Sequence, residues 1–259
     1  MMRFSANLGF LYADLALPDA VRAAKAAGFD AVECHFPYDT PPEDLNAALD
    51  ETGLRMLALN TWPGDRAAGE FGLCALPDRA EEARREIARA VDYAAATGMD
   101  AVHVMAGRTD GGAAAEDCFL ANLRHAVALA AGHGLRVLIE PINTRDVPGY
   151  HLSTTEHAER ILDAVGDDRL RIMFDCYHMQ IMQGDLARTV ERLLPAIGHV
   201  QIAAVPDRGE PDAGEVDYRW LLGRLAELGY DGHVGAEYKP RSPDGDTAKG
   251  LSWLAAHRA

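Results

Sequence analysis

Four polar residues stand where chemistry could be done: Glu140 in VLIEPIN, Asp175 in IMFDCYH, Gln201 in GHVQIAA and Glu237 in VGAEYKP. Each closes a short apolar run, so each brings a polar group to the edge of a packed interior, where an unpaired carboxylate costs several kcal/mol. Three carboxylates converging on one point repel each other unless a cation sits among them, and such oxygen donors suit a hard divalent ion, Mg²⁺ or Mn²⁺. One strand-end acid alone is equally well a helix cap or half an ion pair. Four at equivalent places point to a shared metal. Glu140 and Glu237 could then act as base and acid on neighbouring carbons while the metal stabilises the enediolate between them. That is the chemistry of moving a carbonyl along a small hydroxy-carbonyl compound.

Three further residues are candidates for holding a substrate. His178, three residues past Asp175 at the start of a loop, could donate to a substrate oxygen. Arg208 in VPDRGEP could pair with a carboxylate through its planar fork. Lys239, two residues after Glu237, shares its face if the strand persists and points to solvent if it does not. His35 and His103 also fall near strand ends, where a backbone partner is the ordinary expectation, and both are left outside the site.

The elements that must position these residues are legible as alternating patterns. Strand-length apolar runs occur at Arg3–Leu8, Ala31–Phe36, Arg55–Asn60, Ala101–Met105, Arg136–Pro141, Arg171–Asp175, His199–Ala203 and Val234–Tyr238. Amphipathic helical stretches such as DRAEEARREIARAVDYAAATG and TTEHAERILDAVG lie between them, several ending in Gly directly before the next strand. Eight strand-then-helix units over 259 residues predict a single-domain (β/α)₈ barrel spanning 1–259. The longest irregular stretches, Thr61–Pro77, Thr109–Gly112, Asn143–Leu152 and Val205–Val216, all follow strands. In a barrel those loops build the active-site face.

Composition narrows the function classes. The chain is 48% hydrophobic and carries 40 acidic against 25 basic residues, a net charge of −15 that repels nucleic-acid phosphates and anionic lipid headgroups. The expected partner is therefore a small-molecule substrate, with no nucleic acid and no membrane. Cys34, Cys74, Cys118 and Cys176 lack C-x-x-C spacing and read as reduced thiols of a cytoplasmic protein without a targeting segment. The sequence leaves pairing of barrels into a homo-oligomer open.

The strings FSANLGFLY, VECHFPYD, PGDRAAGEFGLCALPDR, EPINTRDVPGY, FDCYHMQIMQGD, QIAAVPDRGEPDAGEVDY and GAEYKP resemble the hydroxypyruvate isomerase family, within the xylose-isomerase-like TIM-barrel superfamily, nearly end to end. The resemblance implies aldose–ketose isomerisation of hydroxypyruvate to tartronate semialdehyde. It also implies Glu140 and Glu237 as the catalytic pair, with metal held by Glu140, Asp175, Gln201 and Glu237. The chain departs from the family's commoner strings at Ala204, at Thr61–Trp62 and at His151. These departures bear on substrate, and the 2-oxo-tetronate isomerases share the same motifs. A ketose 3-epimerase would normally place a histidine at Gln201, and a DNA-repair endonuclease would need many strand-end histidines and a basic groove. A non-catalytic sugar-acid-binding barrel would have lost one of the glutamates.

Overall fold

The structure is a computed structural model and describes residues 2–257. Eight parallel strands appear in the predicted order: β1 Arg3–Asn7, β2 Ala31–Glu33, β3 Ala58–Asn60, β4 Ala101–His103, β5 Arg136–Ile139, β6 Leu170–Asp175, β7 Ile197–Ile202 and β8 His233–Ala236. They run β2-β1-β8-β7-β6-β5-β4-β3 around one sheet. The ends meet because the Val32 and Cys34 amides donate to Arg55 O and Ala58 O at 2.9 and 3.1 Å, and Leu57 N donates back to Val32 O at 2.8 Å. The barrel is thus closed by the segment leading into β3, leaving no exposed edge.

Helices α1 Leu17–Ala26, α2 Pro42–Thr52, α3 Ala80–Ala96, α4 Ala113–Ala131, α5 Thr155–Val165, α6 Cys176–Met182, α7 Leu186–Leu193, α8 Tyr218–Glu227 and α9 Ser252–Ala256 lie between and after the strands, with short 3₁₀ turns at Pro77–Arg79, Leu194–Ala196 and Thr247–Gly250. The helix α2 ends because Gly53 adopts φ +67°, a left-handed conformation that reverses the chain toward β3 without a Cβ penalty. At the C-terminus, buried Trp253 of α9 packs edge-on against Phe4 with ring centroids 5.3 Å apart and donates to Tyr238 Oη at 3.0 Å. A Trp253→Ala change would remove about 3–5 kcal/mol.

The strand period of two separates two cores. Phe4, Ala6, Val102, Val137, Ile172, Val200 and Val234 face outward into the large cluster beneath the helices. Ala58, Ala101, Leu138 and Met173 form a separate small cluster. These four fill the inside of the barrel, and the inward position two residues further along each of the same strands is Asn60, His103, Glu140 or Asp175. The alternation that packs the interior therefore also lifts a polar ring to the C-terminal mouth. No described helix is long and apolar enough to cross a membrane.

Candidate active site at the barrel mouth

Sheet register sets the site. Asp175 ends β6 directly across from Gln201 of β7, while Glu140 and Glu237 follow the last residues of β5 and β8. All four predicted residues are buried, Asp175 completely. One donor atom each from Glu140, Asp175, His178 and Glu237 lies within 4.8 Å of the others.

The segment after Asp175 is not the predicted loop. Residues Cys176–Met182 form the short helix α6, which Asp175 caps by accepting from the Tyr177 amide through Oδ1 at 2.8 Å. The run CYHMQIM lacks a long enough apolar period to announce a helix, and the cap supplies what the pattern does not. Asp175 is thus both cap and site residue. Its Oδ1 serves the helix and its buried Oδ2 has no hydrogen-bond partner.

His178 on α6 is held in one tautomer. Asp146 accepts from Asn143 Nδ2 at 3.1 Å and donates its own amide to Asn143 Oδ1 at 2.8 Å, which fixes the Asn143 side-chain amide. Asn143 then donates to His178 Nδ1 from Nδ2 at 2.6 Å and from its backbone N at 3.3 Å. The ring proton consequently resides on Nε2, which lies 3.6 Å from Glu140 Oε1 and 3.5 Å from Asp175 Oδ2. His178 presents a donor here rather than a metal-binding lone pair.

Glu237 is the most heavily partnered carboxylate. Its Oε1 accepts from Asn7 Nδ2 and His35 Nε2, both at 3.0 Å, and its Oε2 accepts from Arg208 Nη2 at 2.7 Å. Arg208 Nη2 also lies 3.5 Å from Asp175 Oδ2, and the guanidinium stacks over Phe10 and Tyr177 at 4.8 and 5.0 Å. The arginine predicted to meet a substrate carboxylate is therefore built into the carboxylate cluster. Lys239 stands beyond the end of β8 as an exposed residue on the cavity wall.

Environment pushes the two glutamates apart. Burial, followed by the charges of Glu237 and Asp175, holds the Glu140 carboxyl well above its ordinary range. Burial acts on Glu237 in the same direction, but Arg208 and His35 outweigh it and bring Glu237 down to about 2. Asp175 is raised to about 7, by burial first, against the pull of Arg208. Such opposed neighbours are how one site holds a proton donor and a proton acceptor together.

Several residues outside the predicted set belong to the site. Asn7 and His35 hold Glu237, and neither His35 nor His103 is satisfied by backbone. His103 Nδ1 donates to Asn60 Oδ1 at 3.2 Å and lies 3.8 Å from Glu140 Oε2, while its buried Nε2 is unpartnered. Burial lowers this ring to about 4, so it is neutral. Arg66 adds a cation to the cavity wall. The signal for these residues was present, because Asn7, Asn60 and His103 end β1, β3 and β4 and His35 lies two residues past β2, places equivalent to those of the predicted set at or just past the ends of β5 to β8.

Gln201 is oriented from below. Its Nε2 donates to Glu33 Oε1 at 3.3 Å. A carboxylate only accepts, so the amide nitrogen must face Glu33 and the buried, unpartnered Oε1 must be the free end. Gly235 makes room for this contact, since a Cβ there would overlap Glu33 Oε1 and approach Gln201 Cγ to 2.9 Å.

Glu140 Oε1, Asp175 Oδ2 and Gln201 Oε1 are thus three buried oxygen acceptors without a donor. Unmade hydrogen bonds of buried groups are costly, and a donor set of oxygens fits a hard divalent cation. Charge agrees with this fit, since Asp175 and Glu237 as carboxylates outweigh Arg208 and leave the site negative, the more so when Glu140 ionises, for a divalent ion to neutralise. The cavity above them measures about 270 Å³ and is lined by Phe10, Asn60, Met105, Ile142 and Val147 between the polar groups. That lies below the roughly 300–1,000 Å³ of drug-sized sites and suits a ligand of a few carbons. A second hollow of about 340 Å³ opens at the opposite end of the barrel, around Arg3, Arg55 and Arg136 at strand N-termini. Barrel enzymes do not place their chemistry there.

The sequence profile of the xylose isomerase-like TIM barrel matches residues 21–257. A 2-oxo-tetronate isomerase of Cupriavidus necator is 48% identical over 98% of this chain and 98% of its own. The chain belongs to the hydroxypyruvate isomerase family of xylose isomerase-like barrels. A hydroxypyruvate isomerase of Escherichia coli is 40% identical to this family member over the full length of both chains. A crystal structure from Brucella melitensis, described as an AP endonuclease of family 2, superposes with a TM-score of 0.94 at 41% identity over 99% of each chain. The expected family and barrel are both met, and the relatives named for an activity on small oxo acids are isomerases.

Proposed function

We propose that the chain is a divalent-metal-assisted isomerase that interconverts the ketone and aldehyde forms of a small hydroxy-oxo acid, hydroxypyruvate first. The observation that carries the reading is the trio of unpartnered buried oxygens on Glu140, Asp175 and Gln201, flanked by glutamates with opposite proton affinities. The four-carbon 2-oxo-tetronates are a second substrate class, favoured by the Cupriavidus relative.

Glu140 through its unpartnered Oε1, with Asp175, Gln201 and Glu237, would hold the cation, leaving Glu140 Oε2 to carry the proton; as a Lewis acid the cation would polarise the substrate oxygens and stabilise the enediolate. Glu237, already ionised, takes the proton from the carbon bearing the terminal hydroxyl. Glu140, whose surroundings favour its protonated form, returns a proton to the neighbouring carbon while the terminal hydroxyl proton passes to the former ketone oxygen, and proton exchange with solvent then returns Glu237 to its ionised and Glu140 to its protonated form. The Nε2–H of His178 donates to the oxygen on which charge develops. Arg208, Lys239 and Arg66 give the cavity cations for the substrate carboxylate. Phe10, Met105 and Ile142 exclude water from the proton path. An endonuclease reading conflicts with the net charge of −15, which opposes a phosphate backbone.

The test is a coupled isomerase assay of the chelator-treated protein, before and after Mg²⁺ or Mn²⁺ is restored, across three- and four-carbon hydroxy-oxo acids. The expected result is loss of turnover on stripping and recovery on restoration. Full activity of verifiably metal-free protein would sink the proposal.

A further inference from the structure

A second cluster lies outside the barrel mouth. Glu116 in the first turn of α4, His151 in the loop after β5 and His157 in the first turn of α5 bring one donor atom each within 4.8 Å of one another. Glu116 Oε2 accepts from His151 Nε2 at 2.8 Å and from His157 Nε2 at 2.9 Å. None of the three lines the mouth cavity. The isomerase reading gives none of the three a role.

We propose that Glu116, His151 and His157 form a separate site for a zinc-class divalent transition metal. Two imidazoles and one carboxylate are a borderline-soft donor set, unlike the all-oxygen set at the mouth, and they suit Zn²⁺ or Co²⁺ with solvent completing the coordination. The side chain of Glu116 is 32% exposed and that of His157 18%, so an ion can enter, while His151 at 5% anchors the site from within.

The surroundings accommodate both the metal-free and the metal-bound state. Without metal, each Nε2–H donates to Oε2. Metal binding requires Nε2 of His151 to give up its proton and Nδ1 to carry one. Thr109 Oγ1, 3.3 Å from His151 Nδ1, can serve either tautomer, because a hydroxyl both donates and accepts. The Gly111 amide donates to Thr109 Oγ1 at 3.0 Å and holds that hydroxyl in place. The His151 ring packs edge-on against Phe119 at 5.6 Å, and the His157 amide is fixed by the Thr154 cap at 3.2 Å. The occupied site would tie α4 and α5 to the loop that carries Asn143 and Asp146, the residues that set the His178 tautomer.

The test counts metal ions. Chelator-treated full-length protein is titrated with Zn²⁺ by calorimetry and with Co²⁺ by visible absorption, alongside His157→Ala, His151→Gln and the mouth double variant Asp175→Asn/Glu237→Gln. The expected result is that the first two variants each bind one Zn²⁺ fewer than wild type and lose one Co²⁺ band, while the mouth variant retains that same Zn²⁺ and that same Co²⁺ band. Circular dichroism shows which variants are folded, and either histidine variant alone suffices. Equal stoichiometry in a folded histidine variant and the wild type overturns the site. Because the readout is a difference between variants, it stands whether or not the mouth binds metal.

Discussion

Arg208 donates from Nη2 to Glu237 Oε2 at 2.7 Å, so the proposed base is already clamped by a positive charge among the carboxylates. That charge competes with any cation for the same oxygens, including Asp175 Oδ2 at 3.5 Å. Two unit charges about 4 Å apart interact by about 4 kcal/mol at an effective dielectric near 20, and rearrangement removes part of that. Arg208→Met is expected to bind Mn²⁺ about tenfold more tightly, equivalent to about 1.4 kcal/mol, while kcat/KM for hydroxypyruvate drops. Titration calorimetry and the coupled assay read the two effects separately. Weaker metal binding in the variant would show that Arg208 supports the cation instead of competing with it.

The glutamates should differ in what their loss does to the fold. Glu140→Gln replaces a buried group held protonated by its surroundings with a neutral one of the same shape, so stability should change by less than about 1 kcal/mol. Glu237→Gln takes the ionised partner from Arg208, His35 and Asn7 and should cost about 2 kcal/mol. Both should lower kcat by about 10²–10⁴, the usual share of a general acid or base. Thermal melts and steady-state kinetics on the same preparations check both halves. Equal destabilisation by the two variants would contradict the assigned proton states.

Much of this site was legible because strand chemistry and strand period act locally. Apolar runs ending in Glu140, Asp175, Gln201 and Glu237 marked the mouth, since an inward polar residue at a strand end has nowhere else to go in a closed barrel. The same rule, carried to β1 through β4, reaches Asn7, His35, Asn60 and His103. What the residues alone could not give was partnership. That Arg208 turns onto Glu237 depends on a loop in which Arg208 itself takes φ +56°, and that His178 rides a helix depends on one cap hydrogen bond from Asp175. The substrate class, likewise, came from likeness rather than from spacing.

Metal binding should depend on pH through Asp175. Its folded value near 7, against an ordinary 3.8, means that the metal-free folded chain holds a proton here that the unfolded chain releases. Between those values stability contributed by this group falls as pH rises, and above about 7 the full penalty of a buried, unneutralised carboxylate remains. Glu140 is raised in the same direction. A cation removes that penalty but must first displace the proton, so the Tm gain on adding Mn²⁺ should grow from pH 5 to pH 7.5 and then level. Asp175→Asn should flatten this dependence. A gain that is equal at both pH values in the wild type would rule the linkage out.

Glu33 is predicted to control the metal without touching it. Its Oε1 accepts from Gln201 Nε2 at 3.3 Å, and its Oε2 lies 2.6 Å from His199 Nε2. This carboxylate forces the Gln201 amide to keep its oxygen free. In Glu33→Leu the amide can flip and present Nε2–H to the cation, so Mn²⁺ affinity should fall about 10–100-fold, as for other outer-shell partners of metal ligands. Substrate KM measured at saturating Mn²⁺ should stay near wild type, because Glu33 does not line the mouth cavity. That split separates an orienting role from a general loosening of the barrel, which would raise KM and lower metal affinity together. Saturating metal should also restore most of kcat. If kcat stays low at saturation, Glu33 acts on the reaction by some route other than the orientation of Gln201.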